Sequence, residues 1–136
     1  MSTFLDTNVF LYAAGGDHPY RQPCQRILRR VADGELDATT SSEVVQEVLY
    51  VLVRRGLRSQ ALSLARSILI VFPALLEVGA AEMDAACGLL ESTPELAPRD
   101  AVHAATMLTH GVDTIISADP HFDRLPQLKR VSPEHA

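Results

Sequence analysis

Acidic side chains stand at points in this chain where a fold can gather them. Asp6 directly follows the apolar stretch Thr3 to Leu5, and Asp119 directly follows Thr114 to Ser117. Asp100 stands at the head of the alanine-rich segment that Pro98 opens. Each has an ordinary local use. Asp6 suits a helix cap, Asp100 complements a helix dipole, and Asp119 suits the turn before Pro120. Together they carry a stronger implication, because carboxylates sharing one crevice repel one another unless a cation neutralises them. A hard cation such as Mg²⁺ takes oxygen ligands and keeps waters, so a few carboxylates plus a phosphate suit it. The corresponding chemistry is in-line displacement at a phosphodiester.

A fourth acid is sought on the segment from Ser42 to Gly56. Spacing alone does not separate Glu43 from Glu47, which lie one helical turn apart. On a helical wheel Val44, Val45, Val48, Val51 and Leu52 define the buried arc. Glu47 lies just beyond the Val51 border and Glu43 farther round, so Glu47 is the better placed to reach a crevice beside the core.

These positions require particular elements. Thr3 to Leu5 reads as a buried strand, and Asp6-Thr7-Asn8 supplies capping side chains for a helix through Val9-Phe10-Leu11-Tyr12. A helix over Gln25 to Val31, opened near Pro19 to Pro23, is stopped by Asp33-Gly34. A strand is expected at about Leu36 to Thr39. Ser41 or Ser42 caps the next helix, which ends at Gly56, and Ser59 opens a second that ends before Pro73, making a helical hairpin. Leu75 to Val78 is expected as a strand, Ala80 to Leu90 as a helix weakened by Gly88, and Pro98 to about Leu108 as a helix closed by Gly111. Thr114 to Ser117 and Leu128 to Val131 complete the strands, the last at an edge. Strands alternating with helices predict an α/β fold, a three-layer sandwich with a mainly parallel central sheet of four to five strands flanked by helices. In such a sheet the usable crevice lies beyond the carboxyl ends of the strands, where Asp6 and Asp119 fall.

Length and composition set further bounds. The 136 residues, 47% of them apolar, predict a single domain over 1–136. No run is long and apolar enough to span a bilayer, and the start lacks the pattern of a secretory signal, so a cytoplasmic protein is expected. Cys24 and Cys87 lack ligand spacing and are expected as reduced, buried thiols. A net charge of −5 argues against coating nucleic acid through bulk electrostatics. Lys129 is the sole lysine among 12 basic residues, and the local groups Arg26, Arg29, Arg30 and Arg54, Arg55, Arg58 are suited to bidentate contact with a phosphate backbone, or else to solvated helix faces. His103, three residues after Asp100, is expected in a surface or packing role rather than in the crevice. His121 beside Asp119 is a lesser candidate for contact with a substrate phosphate.

The motifs carry a resemblance. Phe4-Leu5-Asp6-Thr7-Asn8-Val9-Phe10 resembles the opening motif of PIN domains, and Arg99-Asp100-Ala101-Val102-His103-Ala104-Ala105 resembles their second signature. Ile116-Ser117-Ala118-Asp119-Pro120-His121-Phe122 resembles their third. Order, spacing and length are similar to the PIN-domain toxins of bacterial VapBC-type toxin-antitoxin pairs. The resemblance implies an endoribonuclease using Mg²⁺ or Mn²⁺, neutralised by a small antitoxin that inserts into the acidic pocket, and assembled as a homodimer; an antitoxin Arg pairing with the carboxylates in place of metal is a physical route to that neutralisation. It places metal-binding acids at Asp6, Glu47, Asp100 and Asp119, with Thr7, Asn8 and Ser117 in support. Asp119 is followed by Pro120-His121 rather than a second acid, so Asp119 and Asp123 both stand for the fourth acid.

Two other classes compete. An acidic-pocket phosphotransfer domain would share the sheet, yet such families rely on a lysine near the acids, and Lys129 opens the final edge strand. A catalytically inactive PIN-fold binding module would keep the fold without the chemistry, but all four acidic positions are occupied.

Overall fold

The computed structural model describes residues 2–136; Met1 lies outside the described residues. The elements run β1 (Thr3–Leu5), α1 (Thr7–Ala14), α2 (Arg21–Ala32), β2 (Ala38–Thr39), α3 (Ser42–Arg54), α4 (Arg58–Val71), α5 (Ala80–Ser92), α6 (Pro98–Thr109), β3 (Thr114–Ile116) and β4 (Lys129–Val131). Short 3₁₀ turns cover Pro120–Arg124 and Pro133–His135. The sheet has four strands in the order β2-β1-β3-β4, and every pairing is parallel. Neighbouring strand residues point to opposite faces, so a pair buried in succession means that both faces are covered. Phe4 and Leu5 on β1 and Ile115 and Ile116 on β3 are all buried. The result is the expected α/β sandwich, with four strands flanked by six α-helices.

Local signals explain most boundaries. Ser41, rather than Ser42, caps α3, its hydroxyl accepting from the Val44 N–H at 3.2 Å. Gly56 takes φ 79°, which only glycine adopts without strain, and this lets the chain reverse into α4. The wheel drawn for α3 holds at Val44, Val45, Val48 and Leu52, which are core residues, while Val51 is only half-buried. From α6 the core receives Ala101, Ala104, Ala105 and Met107. Small alanines allow that helix to lie close to its neighbours.

Four expectations need correction. Ser59 does not open α4, which begins at Arg58 with Leu57 as its N-cap and no side-chain cap. Leu75 to Val78 forms no strand; Leu76 makes one isolated parallel bridge with Ser41. The chain at Ser42 turns at once into α3, so only one residue of edge is available for pairing. The β2 strand is shorter than Leu36 to Thr39, because the Leu36 N–H closes α2 by donating to the Arg30 carbonyl at 3.2 Å. Cys24 is buried as expected, but Cys87 lies exposed on α5.

Candidate metal centre

The two central strands deliver the first part of the site. Parallel pairing of β1 and β3 brings their carboxyl ends side by side, and the Asp6 N–H donates to the Ile116 carbonyl at 3.1 Å. Asp6 is also the N-cap of α1, where its Oδ1 accepts the Thr7 N–H at 2.8 Å. Its other oxygen accepts the Ser117 hydroxyl at 2.6 Å and the Asn8 amide at 3.2 Å. Asn8 ties the two strand ends together: its Nδ2 also donates to Ser117 Oγ at 3.2 Å, and its Oδ1 accepts the Ala118 N–H at 3.3 Å. Capping and site-building therefore use the same side chains.

The α6 helix supplies Asp100 in its first turn and His103 one turn later. Both are buried, and so is Glu47 on α3. His103 lies between the acids, with Nε2 3.1 Å from Glu47 Oε2 and 4.0 Å from Asp6 Oδ1. Its surface or packing assignment is thus overturned. Spacing could not show this: at 100° per residue Ala101, Ala104 and Ala105 share one arc and His103 falls on the other side, where Asp100, Thr106 and Met107 are buried with it in the fold. Its Nδ1 has no hydrogen-bond partner among the described residues, and its ring centroid lies 6.1 Å from that of Phe4.

Glu47 is held on every side. Its Oε2 also accepts the Thr7 hydroxyl at 2.6 Å, and its Oε1 pairs with Arg99 Nε at 3.2 Å. Burial alone would raise its pKa, but the His103 hydrogen bond and charge, Thr7 and Arg99 together hold it below the ordinary value. The same contacts keep His103 above its ordinary value, although burial opposes that: the Glu47 hydrogen bond and the charges of Asp6, Glu47 and Asp100 outweigh it. Glu47 and His103 therefore form a compensated pair.

Asp6 and Asp100 are not compensated. Burial pushes the Asp6 carboxyl up despite His103, Ser117 and Thr7. Burial likewise raises Asp100, and the negative charges of Asp119 and Asp6 raise it further. Asp119 caps the Pro120–Arg124 turn, with its Oδ1 accepting the His121 N–H at 2.9 Å. The His121 ring sits over two acids, 3.2 Å from Asp119 and 3.7 Å from Asp100. Asp100, Asp119 and His121 each offer a ligand atom within 4.8 Å of the others. An excess of buried negative charge, with oxygen and imidazole donors converging on it, fits a divalent cation.

The acids at Asp6, Glu47, Asp100 and Asp119 are thus brought together, with Thr7, Asn8 and Ser117 bonded among them. Asp123 is turned away: it forms a two-pronged pair with Arg130 of β4, at 2.9 and 3.0 Å. Arg130 in turn donates to the Ser117 carbonyl at 3.0 Å, which steadies the end of β3. Arg99 and Arg130 have no site role from spacing; Arg99 reaches Glu47 across the contact of α6 with α3, and Arg130 reaches the Ser117 carbonyl from β4.

The model of the PIN domain family matches residues 3–128. The chain belongs to the PIN domain family. Among curated relatives this PIN domain is 38% identical over 136 residues to Ribonuclease VapC7 of Mycobacterium tuberculosis, covering 97% of this chain and 92% of that protein. Its fold is similar to that of Mycobacterium tuberculosis VapC20, described as a sarcin-ricin loop cleaving toxin, with a TM-score of 0.77, 22% identity and coverage of 92% of this chain and 95% of that one. It is also similar to a chain of VapBC2 from Rickettsia felis, solved bound to a DNA fragment from their promoter, with a TM-score of 0.75, 20% identity and coverage of 97% and 98%. Among the described residues no helix is long and apolar enough to cross a membrane.

Proposed function

We propose that this PIN domain is a metal-dependent endoribonuclease, the toxin of a toxin-antitoxin pair acting in the cytoplasm. The observation that carries the reading is the convergence of Asp100, Asp119 and His121, whose ligand atoms lie within 4.8 Å of one another, beside the buried carboxyl of Asp6. Its support from kinship is the ribonuclease name of a relative that aligns along nearly the whole chain.

Asp6, Asp100 and Asp119 would hold Mg²⁺ or Mn²⁺, with Glu47 as the fourth acid. When bound, the cation supplies charge to offset that of the phosphodiester and lowers the pKa of water. The rest falls to the chain's own residues. Ser117, Thr7 and Asn8 fix the direction of the Asp6 oxygens. Thr7 and His103 fix Glu47 from its buried side, while Arg99, largely exposed, binds it from the solvent side. Arg99 and His121 are the cationic or proton-bearing groups at the rim, suited to meet an RNA phosphate.

The partner proposed is a small antitoxin that places an Arg among these carboxylates, where a guanidinium pairs bidentately; a homodimer is proposed with it. The test is cleavage of total RNA by purified protein with Mg²⁺ or Mn²⁺. Cleavage that EDTA stops is expected. Intact RNA under all conditions, with phosphorylation by acetyl phosphate, would sink the proposal in favour of a phosphotransfer domain.

A further inference from the structure

Beside the acids, at the end of α1 and the loop after it, lies a groove of about 330 Å³ whose lining includes Asn8, Leu11, Tyr12, His18 and Arg55. Asn8 belongs to both places, since the same side chain bonds Asp6 and Ser117. Whatever occupies the groove therefore adjoins whatever the acids hold.

Half-buried Tyr12 and exposed His18 line the groove and half-buried Tyr20 lies beside them, while the most exposed tyrosine, Tyr50 at 52%, lies elsewhere. The chain has 4 Phe, 3 Tyr and no Trp. Phe4, Phe10, Phe72 and Phe122 are all buried. Of the tyrosines, Tyr50 stands apart on α3 under the Arg54 guanidinium. The other two, Tyr12 and Tyr20, form a cluster with the exposed His18: the Tyr12 and His18 rings stack with centroids 4.4 Å apart, and Tyr20 lies 5.3 and 5.6 Å from them. His18 is held in place, because its Nδ1 accepts the Tyr20 N–H at 3.1 Å. In the neutral ring the proton then sits on Nε2, available as a donor. Arg55 lies exposed just beyond the end of α3 and has no ion pair among the described residues. Asp17, the carboxylate of this groove, disfavours a phosphate near it and leaves Arg55 as the place for one.

We propose that this groove is a nucleotide subsite, which takes an unpaired RNA nucleotide next to the scissile phosphate, its base against Tyr12 and His18 and its phosphate on Arg55. The inference rests on the ribonuclease reading. Single-stranded RNA is recognised by stacking splayed bases on aromatic rings while Arg grips the backbone, and this groove has both elements. A duplex keeps its bases stacked on one another and gains nothing here. A larger cavity of about 920 Å³ shares Asp17 and His18 with the groove and carries Arg21 and Arg26 beside Glu134.

The test uses His18→Ala and Arg55→Ala, both at exposed positions, and a mixed-sequence single-stranded oligoribonucleotide carrying 4-thiouridine. In EDTA, where the proposed chemistry is stopped, His18→Ala should weaken binding about tenfold, as loss of a stacked base contact does, and Arg55→Ala should weaken it through loss of a phosphate contact. Arg55→Ala should also reduce the salt dependence of log Kd by about 0.7, the value of one single-strand phosphate contact. Photo-crosslinking to wild type should map to Tyr12 or His18, and neither variant should differ from wild type with a duplex of the same sequence. If wild type cleaves RNA but the variants bind the oligonucleotide as tightly as it does, the subsite is wrong and the nuclease reading stands. If wild type neither cleaves nor binds RNA, both fall.

Discussion

Replacing Asp100 by Asn should remove catalysis and, without metal, make the protein more stable. Asp100 and Asp119 offer oxygens within 4.8 Å of each other. Two unit charges at that separation repel by about 0.9 kcal/mol in water and about 3.5 kcal/mol at an effective dielectric of about 20. Asp119 is 29% exposed at its side chain, which places the repulsion between those limits, at about 2 kcal/mol. Against this, Asp100 lies in the first turn of α6, where loss of a negative charge costs about 0.3–1 kcal/mol of dipole interaction. Among the described residues its carboxylate has no close hydrogen bond to lose, and the His121 ring lies 3.7 Å away. The net gain is about 1–2 kcal/mol, or roughly 4–8 °C in melting temperature for a domain of this size. The assay is thermal unfolding of wild type and Asp100→Asn in EDTA at mildly alkaline pH, repeated with Mg²⁺ and with Mn²⁺. Wild type should gain about 2.7 kcal/mol at a hundredfold excess of metal over its Kd, and the variant should gain much less. A folded Asp100→Asn protein that melts at or below the wild-type temperature in EDTA would refute the reasoning, because the acids would then not be crowded.

Other consequences can be measured on the same protein. Glu47→Gln should slow cleavage at least about tenfold, as expected for a group that orients a metal site, while Glu43→Gln, on the same helix, should leave the rate near wild type; the reverse order would overturn the choice of Glu47. Asp119→Asn should abolish cleavage, whereas Asp123→Asn loosens an exposed pair with Arg130 and should shift stability by no more than about 1 kcal/mol, as read by denaturant unfolding. His103→Leu removes a buried hydrogen bond to a charged partner and should cost about 2 kcal/mol of stability; an unchanged melting temperature would mean that Glu47 does not need it. Iodoacetamide should label exposed Cys87 in the native protein, and should reach Cys24, whose thiol burial pushes up to about 11, only after unfolding.

Much of this molecule can be read locally. Strand, turn and cap signals depend on neighbours in the chain, so Asp6 after Thr3 to Leu5, the Ser41 cap and the Gly56 reversal are all visible in one dimension. The same holds for the buried arc of α3, since a wheel needs only the helical period, and for the parallel sheet, which alternating elements require. Where elements were misjudged, the deciding contact came from elsewhere in the fold. Leu75 to Val78 has the composition of a strand, but the chain at Ser41 leaves it a single residue to pair with.

The site divides in the same way. The acidic positions and their order belong to the sequence, because Asp6 and Asp119 come after strand ends, Asp100 heads a helix and Glu47 borders the buried arc of α3. Which groups compensate them is a property of the tertiary structure alone. Glu47 and His103 lie 56 positions apart in sequence, and only packing of α3 against α6 puts their side chains 3.1 Å apart in a buried place, where one takes up the charge of the other. Asp119 and Asp123 are close neighbours of like chemistry, and the Pro120–Arg124 turn separates them, aiming one at Asp100 and the other at Arg130. Charge, burial and distance act through space, and a linear sequence specifies those quantities only once the chain has folded.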